Sequence, residues 1–154
     1  MQNLDEIRDK VIKKGFLELM DEDIQVEYKD LDDALFEYCG LTSDGYCIEV
    51  DNSMKDAPTD VMEGGFAHEF SHILTDIEAA RSFRRRDRWA RRISKRYKTL
   101  DERNTDLHAI IRGFGPQLLA FLEYSHEKGL DHYKEDGLSI REVKAILSAG
   151  KQVQ

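Results

Sequence analysis

Between Pro58 and Ala80 the sequence leaves little choice of local structure. Phe66, Phe70, Ile73 and Ile77 fall at i, i+4, i+7 and i+11, an apolar stripe at the period of an α-helix. Pro58 stands where a first helical turn accepts proline, and Asp60 with Glu63 has the spacing of a capping pair. A helix running from there to about Ala80 is predicted, with one face that the rest of the chain must cover.

Segments on both sides offer that cover. Leu4, Ile7, Val11 and Ile12 recur at helical spacing and predict an opening helix over roughly 3–19. Ile24, Val26 and Tyr28 alternate with polar residues, as do Tyr46, Ile48 and Val50, so each set reads as a half-buried strand. The segment from Ala34 to Cys39 has no clear period. Ser43-Asp44-Gly45 after it is a turn signal, which makes a hairpin with the second strand the natural pairing. Beyond the central helix, 81–98 is helical in pattern, with Phe83, Trp89 and Ile93 as apolar anchors. A helix over about 101–112 follows, with Leu107, Ile110 and Ile111 as its core stripe, and stops at Gly113-Phe114-Gly115-Pro116. Pro116 opens another over 117–124, and Ser139 with Glu142 is a capping box for a last one near 139–148. The expected fold is α+β: a small twisted sheet packed on the central helix, then a mainly helical C-terminal half. At 154 residues the chain makes one domain, 1–154.

Some classes are set aside early. No apolar run approaches the ~20 residues of a membrane helix, and the mixed start MQNLDEIRDK does not read as a signal peptide. Cys39 and Cys47 are too few for a disulfide scaffold and fit no four-ligand zinc spacing. They are expected as buried free thiols on neighbouring strands of a cytoplasmic protein. Net charge is −8, yet 81–98 alone carries eight Arg, two Lys and one Asp. That basic run is either a solvated face balancing acidic neighbours or an attractor for nucleic acid.

The central helix carries His68-Glu69-Phe70-Ser71-His72. Histidines four apart sit one above the other on a helix, so both imidazoles can hold one Zn²⁺, while Glu69 reaches a water on the ion without ligating it. Such an ion acidifies its water towards a pKa of about 7, and the glutamate is then a general base. Two histidines and a glutamate can also coincide on an ordinary helix; the strong pattern around these, with Gly64-Gly65 one turn earlier, favours the metal.

A catalytic zinc needs a third protein ligand. Thr75 and Glu78 occupy the positions where a metzincin has glycine and histidine, and Glu78 is rotated off the histidine face. The stretch 101–108, DERNTDLH, offers two candidates. Glu102 can ligate while Asp106, four residues on, accepts the second N–H of a histidine. His108 points well away from Glu102 and is the alternative third ligand. His126 and His132 read as surface or helix-end residues, and Tyr97, Tyr124, Tyr133 and His126 are all candidate oxyanion donors.

HExxH followed by a helix with ExxxD resembles the gluzincin pattern. Size and layout are most similar to the minigluzincins, small soluble relatives of the catalytic domains of integral-membrane metallopeptidases. AHEFSHIL at 67–74 and ERNTDLHAIIRG at 102–113 carry the resemblance, with DNSMKDAP at 51–58 leading in, so that it covers roughly 24–148. It implies a zinc endopeptidase whose third ligand comes from a helix after the active-site helix, histidine serving in some members. It also implies latent forms, in which a C-terminal segment such as 139–148 blocks the cleft. The expected partner is a peptide or protein substrate, and the expected state a monomer or low-order homo-oligomer. The rival readings are a peptidase acting next to nucleic acid through 81–98, and a non-catalytic zinc-stabilised binding module. Glu69 argues against the latter, since a purely structural site has no use for a general base.

Overall fold

The computed structural model describes residues 2–79, 81–130 and 136–150, and at 81–83 the backbone. The first helix, α1 (Leu4–Gly15), is capped by Asn3, whose side chain accepts from the amides of Asp5 and Glu6. It buries Leu4, Ile7, Val11 and Ile12. It does not run on to 19. The chain leaves the helix at Phe16 (φ −133°), and Leu17–Leu19 form a 3₁₀ turn. That break sends Phe16 and Leu19 into the core, where the Phe16 ring lies 5.5 Å from Phe70 and 5.7 Å from Phe114.

Three strands follow: β1 (Ile24–Lys29), β2 (Phe36–Thr42) and β3 (Gly45–Asp51). Their order is β1-β3-β2, with β3 parallel to β1 and antiparallel to β2. The hairpin is as expected, and β2 takes up the segment whose period was unclear. Ile24, Phe36, Tyr46, Ile48 and Val50 turn inward and are buried.

That inner face packs on α2 (Thr59–Glu78). Pro58 is its N-cap, one position before the expected first turn, and Asp60 and Glu63 form no capping pair. Asp60 accepts from the amide of Val61, while Glu63 is drawn into the interior to meet Lys10 and Gln117. Every residue from Val61 to Ser71 is buried, since the sheet, α1 and the helices that follow cover this stretch all round. Ile77 is 38 % exposed because the last turn projects beyond that cover. Gly64 and Gly65 let the neighbours approach. A Cβ on Gly64 would lie 2.2 Å from the carbonyl oxygen of Gln117, and one on Gly65 2.6 Å from the Phe36 ring.

The basic run is two helices, α3 (Arg81–Ile93) and α4 (Lys95–Ala109). Ser94 separates them and caps α4 by accepting from the amide of Tyr97 at 3.2 Å. Trp89 and Ile93 are not anchors; they are 63 % and 62 % exposed, and Phe83's side chain lies outside the described residues. A polar face holds α3 instead, with Asp87 accepting from the Tyr97 hydroxyl at 2.7 Å and Arg91 reaching two carboxylates of α4. The chain then makes a π turn over Ile110–Phe114, with Gly113 at φ +91°, into α5 (Gly115–Glu127). That widened turn exposes Ile111 and buries Phe114 in its place.

The last helix is α6 (Ile140–Gly150), opened by the expected capping box: Glu142 accepts from the Ser139 amide at 2.8 Å, and the Ser139 hydroxyl accepts from the Glu142 amide at 3.3 Å. It packs on α5, with Val143 fully buried and Leu147 resting on Gly115. Its apolar face is turned to the core. No helix among the described residues is long and apolar enough to cross a membrane.

Gly64→Ala should destabilise the protein by about 1–3 kcal/mol, because a backbone carbonyl cannot move aside as a side chain can. Urea unfolding measures this, and an unchanged midpoint would contradict the packing. A chain ending at Asp136 loses the burial of Leu138 and Val143, each worth about 1.5–3 kcal/mol. It should melt well below the full chain and gain no activity.

Candidate metal centre

The site is assembled by two helices. On α2, His68 and His72 stack one turn apart, with ring centroids 4.9 Å apart. On α4, Glu102 faces them. The Nε2 atoms of the two histidines are 3.3 Å apart. Oε2 of Glu102 is 3.2 Å from the first and 3.4 Å from the second. Four-coordinate zinc with bonds of about 2.0–2.1 Å sets its ligands about 3.3–3.4 Å apart. The triangle has the size of one face of that tetrahedron.

Proton accounting leads to the same result. The carboxylate of Asp106 can only accept, and His68 Nδ1 lies 2.8 Å from its Oδ1, so Nδ1 donates. In the neutral ring, Nε2 of His68 is then a bare lone pair. The Thr105 hydroxyl gives its proton to the carbonyl of Asp101 at 3.0 Å and so accepts from His72 Nδ1 at 3.4 Å. Nε2 of His72 is a lone pair by the same reasoning. Two lone pairs and a carboxylate oxygen thus point at one another from buried or nearly buried side chains. Only a cation or an added proton relieves such an arrangement.

Without a metal, the proton takes that place. Burial opposes a charge on His68, but hydrogen bonds to Asp106 and Glu102 outweigh it and raise its pKa well above the usual imidazole value. Burial would likewise raise the Glu102 carboxyl, yet hydrogen bonds to His68 and His72 reverse that and hold it low. Glu69 has no such help. Burial pushes its carboxyl up, against the pull of the two histidines. It is buried beside the triangle and is not a corner of it.

The sequence-predicted residues divide clearly. His68, His72 and Glu102 come together, with Glu69 and Asp106 next to them; His108 is exposed and stands apart. All five converging residues line a cavity of about 980 Å³ bordered by β2, α2, α3 and α4. Tyr97, Tyr124 and His126 do not line it, and Tyr133 and His132 lie outside the described residues. Cys39 and Cys47 are free, as expected, but neither is fully buried: Cys47 is half-buried on the outer face of β3, and Cys39 is exposed in a bulge of the edge strand β2.

Two features escaped sequence reasoning. Arg91 of α3 binds Oε1 of Glu102 with one guanidinium nitrogen and Asp101 with another. This fixes the carboxylate so that its other oxygen faces the histidines. The i, i+11 spacing crosses two helices and leaves no periodic trace. Asp106 is also held from behind, its Oδ2 accepting from the amide of Leu138 at 2.7 Å. No family model, curated protein or solved structure matches the chain.

Glu102→Ala should weaken zinc binding far more than His108→Ala. Arg91→Lys, which cannot bridge two carboxylates as a fork, should weaken it by about 10–100-fold with the fold retained. Competition with a chelator measures both, and equal affinities would refute the clamp. The metal must displace the proton that the raised His68 holds at neutral pH, so zinc affinity should rise with pH, about tenfold per unit for each proton expelled. The same proton gives the metal-free protein stability that is full below the unfolded imidazole value of about 6.5 and is lost as pH rises through the raised folded value. A zinc affinity that does not change with pH would contradict this assignment.

Proposed function

We propose that the chain is a zinc-dependent metalloendopeptidase of the minigluzincin kind, with His68, His72 and Glu102 as ligands and Glu69 as general base. The observation that carries this reading is the ligand triangle of 3.2–3.4 Å with a separate, buried carboxylate beside it. A structural zinc site closes its fourth position with protein. Among the described residues, the convergent set stops at three.

A bound Zn²⁺ would supply Lewis acidity towards the scissile carbonyl and acidify a water. The protein's own groups do the rest. Glu69 takes the proton of the attacking water and passes one to the departing amine. Its raised affinity for protons suits both transfers, since a base poised nearer neutrality also serves as an acid. Asp106 keeps the His68 ring oriented and its Nδ1 protonated, so that Nε2 is the nitrogen left for a metal. Arg91 holds Glu102 so that one oxygen remains directed at the histidines.

Among the described residues the edge strand β2 pairs with β3 alone, and residues from Phe36 to Leu41 line the cavity. Its unpaired backbone offers an extended peptide a strand to add to, which suits a chain cut at an internal bond. The free thiols fit a reducing, cytoplasmic setting. A second reading, action next to nucleic acid, draws support from the outer face of α3. There Trp89 and Ile93 stand exposed among Arg85, Arg86 and Arg92. Binding that weakens steeply with salt would favour it.

Glu69→Gln should keep zinc and fold yet lose about 10²–10⁴-fold in turnover of a casein-like substrate. His68→Ala and His72→Ala should lose the metal itself. Full cleavage by the glutamine variant would refute the mechanism, and full metal content in both alanine variants would refute the site.

A further inference from the structure

The outer face of the sheet carries a second group of polar side chains, at the margin of the cavity that His68, His72 and Glu102 line. Tyr46, Ile48 and Val50 of β3 point inward, so Cys47 and Glu49 point outward between them. On β2, Tyr38 pairs with Ile48 and Gly40 with Cys47, which leaves Cys39 as the extra residue of a bulge next to Cys47. The two sulfurs and a Glu49 oxygen all lie within 4.8 Å of one another.

The charges around them are poorly balanced. Glu27 and Glu37 both pair in register with Glu49, so three glutamates form one row across the three strands. Like charges placed directly opposite one another destabilise a sheet. Lys29 relieves Glu49 through a contact of 2.6 Å to Oε1, but two negative charges remain in the row. Strand pairing alone does not call for two thiols and a carboxylate at one point on a surface already rich in glutamate.

We infer that Cys39, Cys47 and Glu49 form a second cation site, one that takes a thiophilic divalent ion such as Zn²⁺ or Cd²⁺. Tetrahedral zinc with Zn–S bonds of about 2.3 Å sets two sulfurs about 3.8 Å apart. Small side-chain rotations close the gap. Binding breaks two S–H bonds and forms two metal–sulfur bonds; two protons leave to solvent, and no electrons are transferred. Two thiolates and Glu49, set against Lys29, leave two negative charges, which a divalent ion neutralises. The ion ties the bulge of β2 to β3, next to the strand that borders the cavity.

Cadmium titration of the full-length, reduced protein tests the site, read by thiolate-to-metal charge-transfer absorption and by stoichiometry. The wild type should bind two equivalents and show the band; Cys39→Ser/Cys47→Ser should bind one and show none. The metal should also raise the melting temperature of a His68→Ala/His72→Ala variant, in which only the cysteine site remains. If the histidine site fails instead, the wild type binds one equivalent with the band, so the two readings fail separately. A wild type with no band, or equal stoichiometry in wild type and serine variant, would overturn the inference. Alkylation tests the wild type directly: bound cadmium should protect both thiols, and unprotected thiols count against the site.

Discussion

The interior of this protein has to accommodate charge. Its central helix is buried all round from Val61 to Ser71, and that stretch contains a histidine and two glutamates. Burying such groups costs several kcal/mol each unless partners compensate. Much of the fold's architecture supplies those partners. α4 brings Glu102, Thr105 and Asp106 to the histidines. α1 and α5 bring Lys10 and Gln117 to Glu63. Glu69 keeps its burial penalty, and its carboxyl stays raised against the pull of the two histidines.

The compensation is layered. His68 and Glu102 are each held from behind by a group that is itself held. His68 leans on Asp106, and Asp106 on the Leu138 amide; Glu102 leans on Arg91, and Arg91 is also fixed by Asp101. Such chains restrict rotation at the first layer, which a tight, directional site requires. They also give the basic run a structural meaning. α3 docks through Arg91 and Asp87, so its inner face is polar, and its apolar Trp89 and Ile93 are left outside.

What the sequence disclosed follows from the range of each signal. Period and turn chemistry are local, so β1, β3, the hairpin turn, the central helix and the last capping box were legible, while β2 showed no period of its own. The convergence of His68, His72 and Glu102 was legible too, because His68/His72 and Glu102/Asp106 each obey a four-residue spacing on one helix. The errors arose where distant packing overrode local pattern. Phe16 ends α1 to reach Phe70, the π turn at Gly113 exposes Ile111, and Glu63 leaves its cap for Lys10. The apolar letters of α3 misled because a helix can dock by ion pairs. Arg91 was invisible for a related reason: one arginine among eight carries no mark of its partner.

The hydrogen bond from the Leu138 amide to Asp106 also bears on the order in which the chain is made. His68, His72, Glu102 and Asp106 are all synthesised before residue 138, yet the carboxylate that orients His68 lacks one of its two partners until that residue arrives. A chain still attached to the ribosome through that segment carries all four side chains and an incomplete support for them. The brace of the most deeply buried polar network is thus supplied after everything it supports.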